Sequence, residues 1–560
     1  MEARMNTALL LTALLGATNA SPGNDSTQAQ RMDLGKVGSV ALPNSCRPEV
    51  QEDFGRGVAL LHSFFYEEAR TVFQQVAERD PKCAMAFWGT SMTYYHPLWA
   101  PPLAADVALG TEAANRAAAL PVHTDIEKGL IAAANAYWRG GSPPASDQAP
   151  PEGVPSCHGG SPSPGGKAEA FRTVLEGLHE RFSDDVEVTT FYALALLGTA
   201  PKEDRTLSQQ KKAAGLLEAM WTRHPNHPGV VHYLIHAYDY PETAQLGLPA
   251  AHAYAGVAPQ VPHALHMPSH IFVRLGLWPD DETSNLASIA AAERWSSVRH
   301  PGTTFSDALH AMDYLEYGYL QQGRYAEAEM QNRRMIAVGT VHPPNEMGAA
   351  FARAIVPARF VLERESWDEA ARLEVQPIAA WDDYPFVRGL VEYARLIGAA
   401  RFGDAKRART ALANLEGIER GIPAGALGYF VKLMEAYRLA GLGWVSHLEK
   451  KDAEAIELIK RAADLEDSIG PNPISPGPLL PARELLGDLL FDLNRGVEAL
   501  AAYKATLAVY PGRLRSMAGA MRAAKKAGDV KAAQGYAHQL LQMTQSGGGQ
   551  FVAEARVLIR

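Results

Sequence analysis

Two pairs of histidines set the scale of this chain's fold. His232 and His236 stand four residues apart in "HYLIHAYD", and His266 and His270 stand four apart in "PHALHMPSH". The two pairs are themselves 34 residues apart, His232 to His266 and His236 to His270. Side chains four apart share one face of an α-helix, so the same helical face returns at a fixed period. A period of this size marks a repeat array, each unit being a two-helix hairpin that cannot bury its apolar face alone. Stacked hairpins bury a continuous core, which also explains how 560 residues form one array where a single globular core would not grow so large. The hydrophobic content of 47% is enough to fill such an interior.

Helical periodicity runs through the rest of the chain. Segments of about 12 to 20 residues recur between Gly, Pro or Asp breaks, and no run alternates in the manner of a strand. "QGRYAEAEMQNRRMIAVG" has a Gly, an aromatic two residues later and Ala at helical spacing. "DPKCAMAFWGTSMTYY" opens a first helix on Pro81 and carries Trp88 and Gly89. "NRGVEALAAYKATLAVYP" and "GDVKAAQGYAHQLLQM" read as second helices. These segments resemble tetratricopeptide repeats. The resemblance implies an all-α, TPR-like helical-hairpin solenoid of roughly eleven or twelve hairpins from about Val50 to the end. Gly89, Ala328 and Ala499 sit where such hairpins need small residues for close helix approach.

Residues 1–20 read as a signal peptide, with Arg4, an apolar run from Ala8 to Ala17, and small residues near Ser21. The array then occupies 46–470. The Gly-, Pro- and Ser-rich stretch 139–167 is expected to be a disordered loop, and 475–560 is expected to form further C-terminal repeats after a break at "SIGPNPISPGPLLP". The export signal points to a periplasmic or secreted protein. Cys46 and Cys83 flank one predicted hairpin and read either as a disulfide or as two buried thiols; Cys157 lies in the loop. The net charge of -9 carries no basic stripe, so no nucleic-acid partner is expected. No apolar run beyond the N-terminus is long enough for a membrane span.

The histidines are the chemical signal. Asp239 follows His236 by three residues. His263 precedes Gly276 by thirteen, as His310 precedes Gly323, and Asp313 precedes Gly323 by ten, as His266 precedes Gly276. Three successive first helices therefore carry His or Asp at matching heights. The tetratricopeptide resemblance implies that first helices line a concave groove. Imidazoles four apart on a helix bind one ion from one face, so His232, His236, His266 and His270 read as ligands of a divalent transition metal. Asp239, His263, His310 and Asp313 would complete or orient the set. Zinc, copper and iron all suit histidine with carboxylate. Pro268 is expected to bias Met267 away from helix. Arg274 and Arg359 lie on or near groove-facing stretches and read either as contacts for an anionic substrate or, more commonly, as solvated or ion-paired arginines. His224, His227 and His252 are read as lying outside the cluster, and His62 and His96 as core or interface residues.

Two functions fit. One is a metal-dependent enzyme, a hydrolase or a protein of oxygen chemistry. The other is a non-catalytic scaffold whose groove takes a peptide or protein at the cell envelope. No glycine-rich phosphate loop, GxSxG elbow or HExxH motif occurs.

Overall fold

A computed structural model describes residues 32–98, 102–139, 166–201, 204–422 and 428–560. The expected signal peptide, Cys157 and most of the 139–167 stretch lie outside the described residues. Those described are overwhelmingly helical. The only strands among them are two-residue segments, Thr304–Phe305 and Val341–His342, paired in parallel with Thr304 opposite Val341 and Phe305 opposite His342.

The helices come in consecutive hairpins whose two members differ in character. First helices are buried nearly all round: every residue of Val186–Gly198 and of Pro228–Tyr238 is buried. Second helices bury one stripe. Ser208–Arg223 hides Gln210, Ala213, Ala214, Leu217 and Met220, a three- and four-residue rhythm that leaves its other face in water. This division puts first helices against one another inside the stack. Gly276 and Gly323 end two of them with φ of +69° and +67°, a left-handed conformation that glycine adopts without the steric cost borne by other residues. Gly89 is small for a packing reason. A Cβ there would lie 2.5 Å from the Phe73 ring, so the hairpin Tyr66–Arg79 and Ala84–Met92 closes only around a glycine. Ala328 and Ala499 are fully buried.

Residues Leu34–Arg560 form one compact unit. Within it the hairpins also bond across large sequence distances. The His232 Nδ1–H donates to the His62 carbonyl at 2.7 Å, and Trp295 Nε1–H donates to Glu68 at 2.8 Å. From the other end, Leu514 N–H donates to Gln321 at 2.9 Å and Trp278 Nε1–H to the Gly512 carbonyl at 3.2 Å. Residues 475–560 are therefore joined to the middle of the array. Part of the break that precedes them is buried, with the Pro473 carbonyl accepting from Tyr314 and Ser475 bonded to Asp313 and Arg359. Cys46 and Cys83 are joined by a disulfide with Cα atoms 4.6 Å apart. No described helix is long and apolar enough to cross a membrane.

Candidate metal centre

The histidines gather into two trios, each drawn from two hairpins. His232 and His236 come from Pro228–Tyr238, and His263 reaches them from the first turn of Pro262–His266. His266 ends that helix, His270 lies on its continuation Pro268–Leu275, and His310 reaches them from Ser306–Gln321. The rule is the same in both: an i, i+4 pair from one first helix, and a third ring from the next first helix, thirteen residues before its terminal glycine. The two trios are repeats of each other.

That arrangement differs from a single site made by the two pairs. The four imidazoles at the 34-residue spacing split between the trios, because His263 and His310 each lie nearer the preceding pair. The helix also runs further than the proline predicts. Met267 is in the right-handed helical region, at φ −51° and ψ −35°, with its N–H bonded to the His263 carbonyl at 2.9 Å. Pro268 opens the next segment in a first-turn position, where its missing N–H costs least. His263, His266 and His270 thus share nearly continuous helical geometry.

Within the first trio, His232 Nε2 stands 3.0 Å from His236 Nε2 and 3.1 Å from His263 Nε2. The carbonyl of His62 only accepts, so His232 carries its proton on Nδ1 and turns a lone pair toward both neighbours. Phe64 lies over the trio, with its ring centroid 4.5 Å from that of His232 and 5.6 Å from that of His263. It holds φ at +54°, a left-handed conformation uncommon for a bulky side chain.

The second trio is more tightly specified. Asp239 accepts from His270 Nδ1–H at 2.9 Å and from Arg274 Nε–H at 2.9 Å. Asn285 donates its amide N–H groups to the Asp281 carbonyl and carboxylate, which fixes its oxygen toward His266 Nδ1 at 2.7 Å. Both imidazoles are therefore protonated at Nδ1. Their Nε2 lone pairs then face each other at 3.0 Å. The His310 ring centroid lies 4.4 Å from that of His266, and its ligand atom falls within the same cluster.

Electrostatics disfavour a proton between these rings. Burial holds His263 and His266 well below the usual imidazole range, and the neighbouring histidines depress them further. Burial likewise brings His232 and His310 down to about 3. The five other trio members are 5% exposed or less, and His310, less fully covered as a residue, still has its ring among the buried ligand groups.

The remaining sequence candidates are accounted for. Asp239 is an orienting partner of His270 placed behind the ring. Asp313 is in neither trio: it pairs with buried Arg359 and accepts from Ser475 Oγ at 3.0 Å. Its helix position matches that of His266, so in the third layer an ion pair stands where the earlier layers place histidines. Arg274 and Arg359 are ion-paired with Asp239 and Asp313, the commoner of the two outcomes for such residues. His252 is exposed, and His224 is in no cluster.

His62, read as a core or interface residue, and His227, read as outside the metal cluster, converge with Glu187. The two rings bond its carboxylate oxygens at 2.9 Å each, all three side chains being buried. Burial raises the Glu187 carboxyl, but His227 and His62 outweigh it and hold the group below the usual range. His62 Nδ1 meets Tyr233 OH at 3.0 Å, and His227 Nδ1 accepts from Val230 N–H. Every ring nitrogen here has a hydrogen-bond partner, so the group reads as a satisfied core network. A signal existed: Glu187 is a lone carboxylate in the apolar helix "VEVTTFYALALLG", and a buried charge needs partners.

No family model matches the chain, and no curated protein matches it. Among solved structures, it is similar to a human IFIT1 dimer with PPP-AAAA, at TM-score 0.36 and 11% identity, over 89% of this chain and 95% of that one. It is also similar to yeast Tom70, at TM-score 0.32 and 9% identity, over 91% of this chain and 95% of that one. Likeness this distant carries no argument about the site.

Proposed function

We propose that the two histidine trios hold divalent transition-metal ions and that the protein is metal-dependent. One observation carries the reading: His266 and His270, both committed to Nδ1–H by Asn285 and Asp239, turn unshared Nε2 lone pairs on each other at 3.0 Å. Without a cation that contact is repulsive, and burial opposes a bridging proton. Three imidazole nitrogens about 2.0–2.1 Å from one tetrahedral ion stand roughly 3.3 Å apart, close to the separations here. Ring N–H groups donating to a carboxylate, an amide and a carbonyl are the usual supports of metal-bound histidine.

The second trio is the better candidate for chemistry, hydrolytic or oxidative, because His310 is the least buried residue of the six. Zinc, copper and iron all suit three imidazoles. The disulfide supports a place outside the cytoplasm, in keeping with the expected signal peptide. Metal content of untagged protein, exposed to zinc, copper or iron and then desalted, tests the reading. Two tightly held ions per chain are expected. A His232→Ala, His270→Ala double variant should lose them while keeping its helical circular dichroism. Metal-free wild-type protein after such exposure contradicts the proposal.

A second reading, a peptide-binding scaffold, is favoured by a cleft of about 770 Å³ lined by Trp278, Pro279, Leu507, Pro511, Tyr536 and Met543. It predicts peptide binding that chelators leave unchanged.

A further inference from the structure

A further convergence of ligand atoms lies outside both trios and on different elements. Glu67 is in the first turn of Tyr66–Arg79, His300 caps the end of Trp278–Arg299, and His342 is in the strand Val341–His342. His300 Nε2 lies 2.7 Å from Glu67 Oε1, and His342 Nε2 lies 2.9 Å from Glu67 Oε2. The two imidazoles stack with centroids 3.4 Å apart and planes 16° from parallel. One ligand atom from each of the three residues falls within 4.8 Å of the other two.

Two features separate this group from the buried His62–Glu187–His227 network. First, it is partly open: the side chains of Glu67, His300 and His342 are 40%, 26% and 23% exposed, so an ion can enter and keep water on its open side. Second, the adjacent carboxylate is already engaged, although the Arg299 cation also acts on Glu67. Glu68 is paired with Arg299 and bonded by Trp295, which leaves the Glu67 carboxylate and two imidazoles as the donor set. Two histidines and one carboxylate with open positions form a recurrent site for zinc and for iron(II).

We propose that Glu67, His300 and His342 form a third, solvent-accessible site for a divalent transition ion, distinct from the buried trios. The ion would tie the first hairpin to the parallel two-strand ribbon, linking segments more than 230 residues apart. The proposal does not depend on the trios, and the experiment counts them separately. Full-length protein is treated with a mild chelator to clear weakly held metal, then titrated with zinc chloride alone by calorimetry, with the thermal midpoint read at each end. Wild type should bind one more ion per chain than His342→Ala, at least a hundredfold more tightly than any residual binding in the variant, and its midpoint should rise only when zinc is present. His342→Gln is the second variant, because its amide still donates to Glu67 but is a poor metal ligand. It should fold with the wild-type midpoint in the absence of zinc and lose the zinc-dependent rise. Copper(II) loaded at this site should show nitrogen coupling from two imidazoles by electron paramagnetic resonance, reduced to one in the variant. Equal zinc stoichiometry and equal thermal shifts in wild type and His342→Gln would overturn the proposal, leaving Glu67 as a plain hydrogen-bond acceptor. Failure of the trios to bind metal would leave this result untouched.

Discussion

Replacing Asp239 with asparagine probes the second trio without touching a ligand. The carboxylate takes two N–H groups, Arg274 Nε–H on one oxygen and His270 Nδ1–H on the other, each at 2.9 Å. An amide has one oxygen. Arg274 has no acceptor capacity and is buried, so it keeps that oxygen, and the amide N–H group turns to His270 Nδ1. The ring then accepts at Nδ1 and carries its proton on Nε2, which blocks the nitrogen that faces His266. Changes to such supporting partners weaken metal binding about tenfold to a hundredfold, or roughly 1.4–2.7 kcal/mol. Removing the Asp239 charge paired with buried Arg274 also costs folding stability, on the order of 3–5 kcal/mol. Competition against a chromophoric chelator reads the affinities of the two trios separately. The Asp239→Asn variant should show one weakened ion and one unchanged, since the tautomer it changes is that of His270, a member of the second trio. Two sites of wild-type affinity would refute the tautomer reasoning, and so would equal weakening of both.

Three further outcomes are expected. The Cys46–Cys83 disulfide closes a loop across a sequence separation of 37 residues, so the Cys46→Ser, Cys83→Ser variant should lose about 4 kcal/mol by chemical denaturation. Glu466 is pushed up to about 8 by burial, with one oxygen accepting from Ala482 N–H. The folded state therefore keeps a proton that the unfolded chain releases near 4.5, and stability is lost as pH rises from there to about 8. Glu466→Gln should remove that loss, gaining a few kcal/mol at pH 9 and little at pH 4, as read from denaturation midpoints. Arg359→Met leaves Asp313 and Glu316 buried without their cation, and should cost about 3–5 kcal/mol in the same assay.

The array was legible because its determinants are local. Apolar spacing, terminal glycines and the 34-residue return of HxxxH follow from one hairpin repeating, and they place His232, His236, His266 and His270 in equivalent positions. What escaped the sequence is contact between hairpins. The spacing places His263 and His310 at one register, but which pair each ring joins depends on how adjacent first helices lean. Asp313 shares the helix position of His266, yet its role is set by Arg359 from the next hairpin. His62, Glu187 and His227 meet from three hairpins, and nothing in their spacing announces it. Pro268 misled in a smaller way: its steric bias against helix at the preceding residue yields to tertiary packing, so Met267 stays helical.

The most direct test of the central claim is crystallographic. Diffraction from metal-loaded protein, collected on both sides of the ion's absorption edge, locates the ion independently of the protein's scattering. Two anomalous peaks are predicted inside the array, one about 2.0–2.2 Å from the Nε2 atoms of His232, His236 and His263, the other at that distance from the imidazoles of His266, His270 and His310. Peaks confined to the surface, or interior maps with hydrogen-bonded rings and no anomalous signal, would contradict it.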